Sequence, residues 1–155
     1  NYYEQIEKCM QNNKDKIINN ENYLQEMKDM NFKSTSATHL LLFLETCTNN
    51  DIQIVSLEFT LEHIFPKKNK LSLSNCSLMD NIGNLTLYEG KNSINGHKGN
   101  MSLGSKPYDK KKIEYKKSSS IITRNIHEKY EIFKEKNIIE RCNEIASLLD
   151  KYTNY

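Results

Sequence analysis

The chain has 155 residues, a formal net charge of +2 and four cysteines. This length fits one domain with its own core, and the small net charge excludes a protein that attracts nucleic acid over its whole surface. The cysteines are widely separated without a CxxC pair, which argues against a zinc ribbon and is typical of reduced thiols in a cytoplasmic protein. No apolar run approaches the roughly 20 residues of a membrane-spanning helix, so no membrane partner is expected.

The first 50 residues are predicted to be helical. Apolar residues recur at spacings of three and four between residues 2 and 30, which indicates one or two amphipathic helices. Residues 38–47 are apolar enough for a largely buried helix, and the preceding serines offer N-caps. We expect these helices to pack onto a central unit. Because the chain begins with Asn1, we also expect it to be a fragment of a longer protein.

A strand is predicted over residues 51–65, where β-branched and aromatic residues nearly alternate with polar ones. It contains the pair Glu62-His63 and is stopped by Pro66. In a regular strand these two side chains point to opposite faces. For both to serve one metal site, the chain must bend or bulge here, or the ion must lie at the end of the strand.

A polar loop over residues 67–80 is expected to lead to a second strand over residues 82–88. The second strand includes Asn84, and Asn92 follows it. A carboxylate and an amide oxygen can hold a hard cation while an imidazole deprotonates water. The two strands therefore carry the side chains that a hydrolytic metal site needs.

The C-terminal third is predicted to be mainly helical. Residues 106–117 read KPYDKKKIEYKK and indicate a helix with a cationic stripe that can follow phosphates without reading bases. Its predicted nucleic-acid contacts are Lys106, Lys110, Lys111, Lys112 and Lys116. Residues 118–124 are expected to form a turn and a short apolar pair, and residues 138–149 an amphipathic helix. In that helix, we expect Arg141 to form a structural salt bridge, with a phosphate contact as the alternative.

Four segments in this order resemble a known family: LEHIFP, IGNLTLYEGKN, KPYDKKKIEYKKSS and IIERCNEIA. They resemble the HNH (His-Me finger) endonucleases, and among these the C-terminal nuclease domain of GmrSD-type modification-dependent restriction enzymes. The resemblance covers residues 57–149. It implies an α+β fold with a ββα-metal core of two short antiparallel strands and a helix, surrounded by α-helices at both ends. We therefore expect a single domain with helical support in residues 1–50, the core in 51–117 and further helical support in 118–155.

The resemblance also implies roles for the strand residues. His63 is the expected general base and Glu62 a metal ligand, while Asn84 is expected to pin the loop that carries His63. Asn92 supplies an amide oxygen to the metal, although its spacing from Asn84 is one residue shorter than in many HNH motifs. Carboxylate and amide oxygens favour Mg²⁺ or Mn²⁺ over Zn²⁺. The other candidates for the third site residue are Asn95 and His97.

The function that the resemblance implies is metal-dependent cleavage of double-stranded DNA, in restriction of foreign DNA, modified DNA included. The chain contains no GxxxxGK[ST] motif. If a nucleotide-hydrolysing domain accompanies it, as in GmrSD-type enzymes, that domain lies in an N-terminal part of the full-length protein. The alternative is a non-catalytic DNA-binding or interaction module with the same fold, and the sequence does not distinguish DNA from RNA as the substrate.

Overall fold

The computed structural model describes residues 27, 31–32, 34–48, 59–90 and 103–153. Within these ranges the fold is α+β, as predicted. Its regular elements are α1 (Ser34–Thr48), β1 (Phe59–His63), β2 (Leu85–Glu89), α2 (Tyr108–Tyr115), α3 (Ile121–Lys129) and α4 (Glu135–Thr153). Short 3-10 helices at Lys67–Ser72, Cys76–Asp80 and Ile82–Asn84 join the strands. Of the helices predicted within residues 2–30, only Met27 is described, and it is helical.

The two strands form one antiparallel sheet in which Phe59 pairs with Glu89 and His63 with Leu85. β1 is shorter than the predicted strand, whose first part lies outside the described residues. β2 begins at Leu85 rather than at residue 82, because the Asn81 side chain accepts a hydrogen bond from the Gly83 amide at 2.8 Å and starts a 3-10 turn. Two strands followed by α2 are consistent with a ββα-type core.

β2 lies between the two hydrophobic clusters of the described core. Leu85 and Leu87 pack with apolar residues of α1 and α4. Tyr88 packs instead with residues that include Tyr115 of α2 and Ile126 of α3. Because side chains of a strand alternate between faces, one buried strand serves both clusters. Helix α2 contacts the end of β1, where Lys111 pairs with Glu62.

Helix α3 lies within the predicted C-terminal helical support, but the sequence predicted only a turn and an apolar pair where it begins. Its first turn is capped by Ser120, whose hydroxyl accepts from the Thr123 amide at 3.3 Å. Glu45 of α1 is buried against the same turn and accepts from the amides of Ile121 at 2.6 Å and Ile122 at 3.1 Å. A carboxylate from a distant helix thus satisfies the unpaired amides of the helix N-terminus. The residues next to α3 in the sequence do not predict this contact.

The structure also differs from the predictions for the loop over residues 67–80 and for Arg141. Two 3-10 helices occupy much of the loop. Arg141 is buried, and its guanidinium donates to the backbone carbonyls of Ile82, Gly83 and Leu85 at 3.1, 3.1 and 2.6 Å. It binds the turn before β2 and forms no salt bridge with another residue of the described ranges, and burial lowers its pKa to about 10. No helix in the described ranges is both long enough and apolar enough to cross a membrane.

Candidate functional site

Glu62 and His63 end β1, and the sheet register directs their side chains to opposite faces. β1 pairs with β2 residue by residue through both positions, without a bulge. The two side chains accordingly have different partners, Lys111 for Glu62 and Asp80 for His63. The described residues do not bring the predicted metal ligand and the predicted base onto one face.

Glu62 forms a buried ion pair with Lys111 of α2. The exposed fractions of the two side chains are 2% and 0%, and the ammonium nitrogen lies 2.5 Å from Glu62 Oε1. The same ammonium donates to the backbone carbonyl of His63 at 2.5 Å and to that of Gly104 at 3.4 Å. The Tyr115 hydroxyl approaches Oε1 at 3.4 Å. Three oxygen atoms therefore surround one positive charge at the end of β1.

Burial has opposite effects on the two members of this pair. It raises the pKa of Glu62, and the neighbouring charge and hydrogen bond of Lys111 act against this rise. It lowers the pKa of Lys111, against the attraction of the Glu62 carboxylate. Removing either partner would leave the other charge buried without its counterion, which is the costly state for such a pair.

The position of Lys111 divides the predicted phosphate-contacting stripe. Lys111 points into the protein, so its ammonium is not on the surface that α2 presents to solvent. Lys112 bonds to Glu131 at 2.5 Å, and its side chain is 17% exposed. The exposed members of the predicted stripe are Lys106, Lys110 and Lys116.

On the other side of β1, His63 bonds to the carboxylate of Asp80. Its Nε2 lies 2.9 Å from Asp80 Oδ1, and the two side chains are 14% and 40% exposed. Lys67 lies 3.7 Å from the same oxygen. Burial lowers the pKa of His63, with the Asp80 bond opposing and the Lys67 charge reinforcing the change. The imidazole is therefore neutral near neutral pH, which is the form that can accept a proton.

Asn84 is fully buried and joins the chain after His63 to the chain before Asp80. Its Oδ1 accepts from the Phe65 amide at 2.7 Å, and its Nδ2 donates to the Met79 carbonyl at 2.8 Å and to the Phe65 carbonyl at 3.3 Å. Its own backbone carbonyl accepts from the Ile64 amide at 2.9 Å. One asparagine thus bonds to the segments on both sides of the His63–Asp80 contact.

Of the candidate metal ligands, Glu62 lies at the end of β1, and Asn92, Asn95 and His97 lie outside the described residues. The described ranges contain no group of three or more His, Cys, Asp or Glu side chains that could hold a metal ion. The oxygens of Glu62 and of the His63 carbonyl are hard donors and already bind a cationic group, the Lys111 ammonium. Their chemistry suits a divalent ion, and binding through Oε1 requires that ammonium to move away.

Sequence reasoning missed Asp80. It was assigned to a polar loop, and it lies 17 positions from His63 in the chain. No spacing rule links two residues so far apart across a strand end and a 3-10 helix. The only local hint is the asparagine-rich turn after it, since Asn81 and Asn84 fix that turn against the core.

A family model described as the C-terminal domain of GmrSD restriction endonucleases matches residues 17–148, most of the chain. The match includes every residue of the two strands and of the contacts around Glu62 and His63. No curated protein and no solved structure gives a significant match to the chain.

Proposed function

Because the chain belongs to the family of GmrSD restriction endonuclease C-terminal domains, a nuclease family, we propose that it is a metal-dependent DNA endonuclease. It hydrolyses phosphodiester bonds of double-stranded DNA, in restriction of foreign DNA that includes modified DNA. The observation that carries the reaction class is the family match. The proposed N-terminal partner, a nucleotide-hydrolysing domain, would belong to the same longer protein.

His63 is the proposed general base. Hydrolysis of a phosphodiester needs a group that takes a proton from water, because water itself is a weak nucleophile. A half-buried imidazole with a lowered pKa is neutral near neutral pH, and its carboxylate partner leaves the other ring nitrogen as the acceptor. The backbone bonds of Asn84 support this proposal, since they hold the chain on both sides of the contact.

Glu62 and Asn92 are the proposed ligands of Mg²⁺ or Mn²⁺. When bound, such an ion stabilises the negative charge that develops on the transferring phosphate and on the leaving oxygen. Glu62 contributes a carboxylate at the end of β1, and the neighbouring His63 carbonyl already accepts from a cationic group. The exposed lysines Lys106, Lys110 and Lys116 are proposed to contact DNA phosphates.

The Glu62–Lys111 pair favours a second candidate, a DNA-binding module without catalysis. An ammonium that stays at Glu62 Oε1 would keep a divalent ion from that oxygen. The two candidates predict different behaviour toward metals, since only the enzyme requires one.

The experiment is plasmid cleavage by the wild type and His63→Ala, each with Mg²⁺, Mn²⁺ or EDTA. Modified DNA, unmodified DNA and RNA serve as substrates, and His39→Ala in α1 serves as the matched histidine control. We expect metal-dependent cleavage that is lost in His63→Ala and kept in His39→Ala. DNA binding without cleavage under every condition, also with the full-length protein, would support the second candidate. Cleavage by His63→Ala at the wild-type rate would refute the assignment of the base.

A further inference from the structure

In the hydrogen bond between His63 and Asp80, the histidine is the donor and the carboxylate is the acceptor. A carboxylate can only accept hydrogen bonds, so the 2.9 Å contact requires the proton on His63 Nε2. In a neutral imidazole the other nitrogen, Nδ1, then carries the lone pair. Lys67, 3.7 Å from Asp80 Oδ1, favours the ionised carboxylate.

The backbone around this contact is held from both ends. Asn84 bonds to Phe65, two residues after His63, and to Met79, the residue before Asp80. In addition, the Asp80 carbonyl accepts from the Phe32 amide at 3.0 Å. These bonds fix the backbone positions of His63 and Asp80. The contact between the two side chains therefore does not require a flexible loop to close.

We propose that Asp80 is a positioning residue, which orients the His63 ring and keeps its proton on Nε2 so that Nδ1 faces the reacting water. This inference rests on the proposed nuclease function, in which His63 is the base. Carboxylates that orient a histidine in this way fix both the tautomer and the ring direction. If Asp80 only formed its exposed ion pair with Lys67, it would contribute little to stability and would not orient the His63 ring.

The first test reads the tautomer without any substrate. Protein labelled with ¹⁵N histidine is examined by NMR at a pH where His63 is neutral, with His63→Ala used to assign the signal. We expect a protonated Nε2 whose hydrogen exchanges slowly with water, and a bare Nδ1. In Asp80→Ala we expect fast exchange at Nε2. A proton on Nδ1 in the wild type would overturn the proposal.

The second test separates positioning from folding and binding. Asp80→Ala should lower kcat for plasmid cleavage by roughly 10- to 100-fold, as loss of an orienting partner does, with KM for DNA unchanged. Lys67→Ala keeps the His63 bond, so its Nε2 signal should remain as in the wild type. Asp80→Asn preserves the shape of the side chain. It takes the place of Asp80→Ala in this test if the alanine variant has a lowered Tm. Its amide can donate as well as accept, so its kcat should also fall.

The outcomes distinguish this proposal from the proposed function. A wild-type kcat in both Asp80 variants would overturn the positioning role while leaving the nuclease assignment intact. Conversely, a wild type that cleaves no nucleic acid, also as the full-length protein, but shows the Nε2 proton in slow exchange would refute the nuclease function. The tautomer assignment would in that case still be supported.

Discussion

Lys111→Met tests whether the buried Glu62–Lys111 ion pair stabilises the folded protein. Methionine keeps most of the volume of the lysine stem and removes its charge. The change leaves the carboxylate of Glu62, which is 2% exposed, without its cation. Removal of one partner from a buried pair costs about 3–5 kcal/mol of the free energy of unfolding. We therefore expect a loss of that size for Lys111→Met, and a comparable loss for Glu62→Gln.

The double variant Lys111→Met/Glu62→Gln supplies the decisive comparison. It contains no buried charge at this place, so it should be more stable than either single variant. Urea unfolding followed by circular dichroism measures all three free energies, and the cycle gives the coupling between the two residues. The control is Lys112→Met, which removes a cation whose partner carboxylate, Glu131, is 92% exposed and stays hydrated, so the unfolding curve should be unchanged.

Two results would refute this reasoning. One is a loss for Lys111→Met no larger than that for Lys112→Met, which would mean that Glu62 is stabilised without the ammonium. The other is a double variant whose loss equals the sum of the single losses, which would mean that the two side chains do not interact.

Three further variants address the turn before β2 and the surface of α2. Gly83→Ala places a Cβ 2.0 Å from the Ile138 carbonyl oxygen of α4, so the helix must shift; we expect a loss of about 3 kcal/mol or more in urea unfolding. Asn84→Ala leaves the amide of one segment and the carbonyl of another without partners, at about 1–3 kcal/mol each, and should lower both Tm and cleavage. Lys110→Ala/Lys116→Ala should reduce the slope of log Kd against log salt for DNA binding by roughly 2.

Two of these variants have a matched control. Asn75→Ala removes an exposed cap bond to the Ser77 amide and should cost less than Asn84→Ala; equal melting temperatures would contradict the role given to the buried asparagine. Lys136→Ala/Lys151→Ala removes two charges from α4 and should keep the wild-type salt slope. An unchanged slope in the α2 variant would place the phosphate contacts elsewhere. For Gly83→Ala, wild-type stability would show that α4 can move at no cost.

The sequence predicted α1, α2 and α4, each from a different signal: apolar content with serine N-caps for α1, the lysine-rich segment KPYDKKKIEYKK for α2, and apolar residues at helical spacings for α4. The two strands were also anticipated, although Leu85 begins β2 later than predicted because Asn81 caps a turn there. The sequence prediction missed α3, although Ile122, Ile126 and Tyr130 recur at spacings of four and Ser120 caps the first turn. The additional cap, the Glu45 carboxylate of α1, comes from a distant part of the chain.

The sequence by itself determined the fold class and the family resemblance, and it predicted Glu62, His63 and Asn84 as site residues. All of these depend on local composition, order and spacing. Only the tertiary structure decided what these side chains contact. Antiparallel pairing sends Glu62 and His63 to opposite faces, and the packing of α2 buries Lys111 beside Glu62. Asp80 contacts His63 only in the folded turn before β2. Contacts between distant segments depend on packing, so a periodic pattern in the sequence does not predict them.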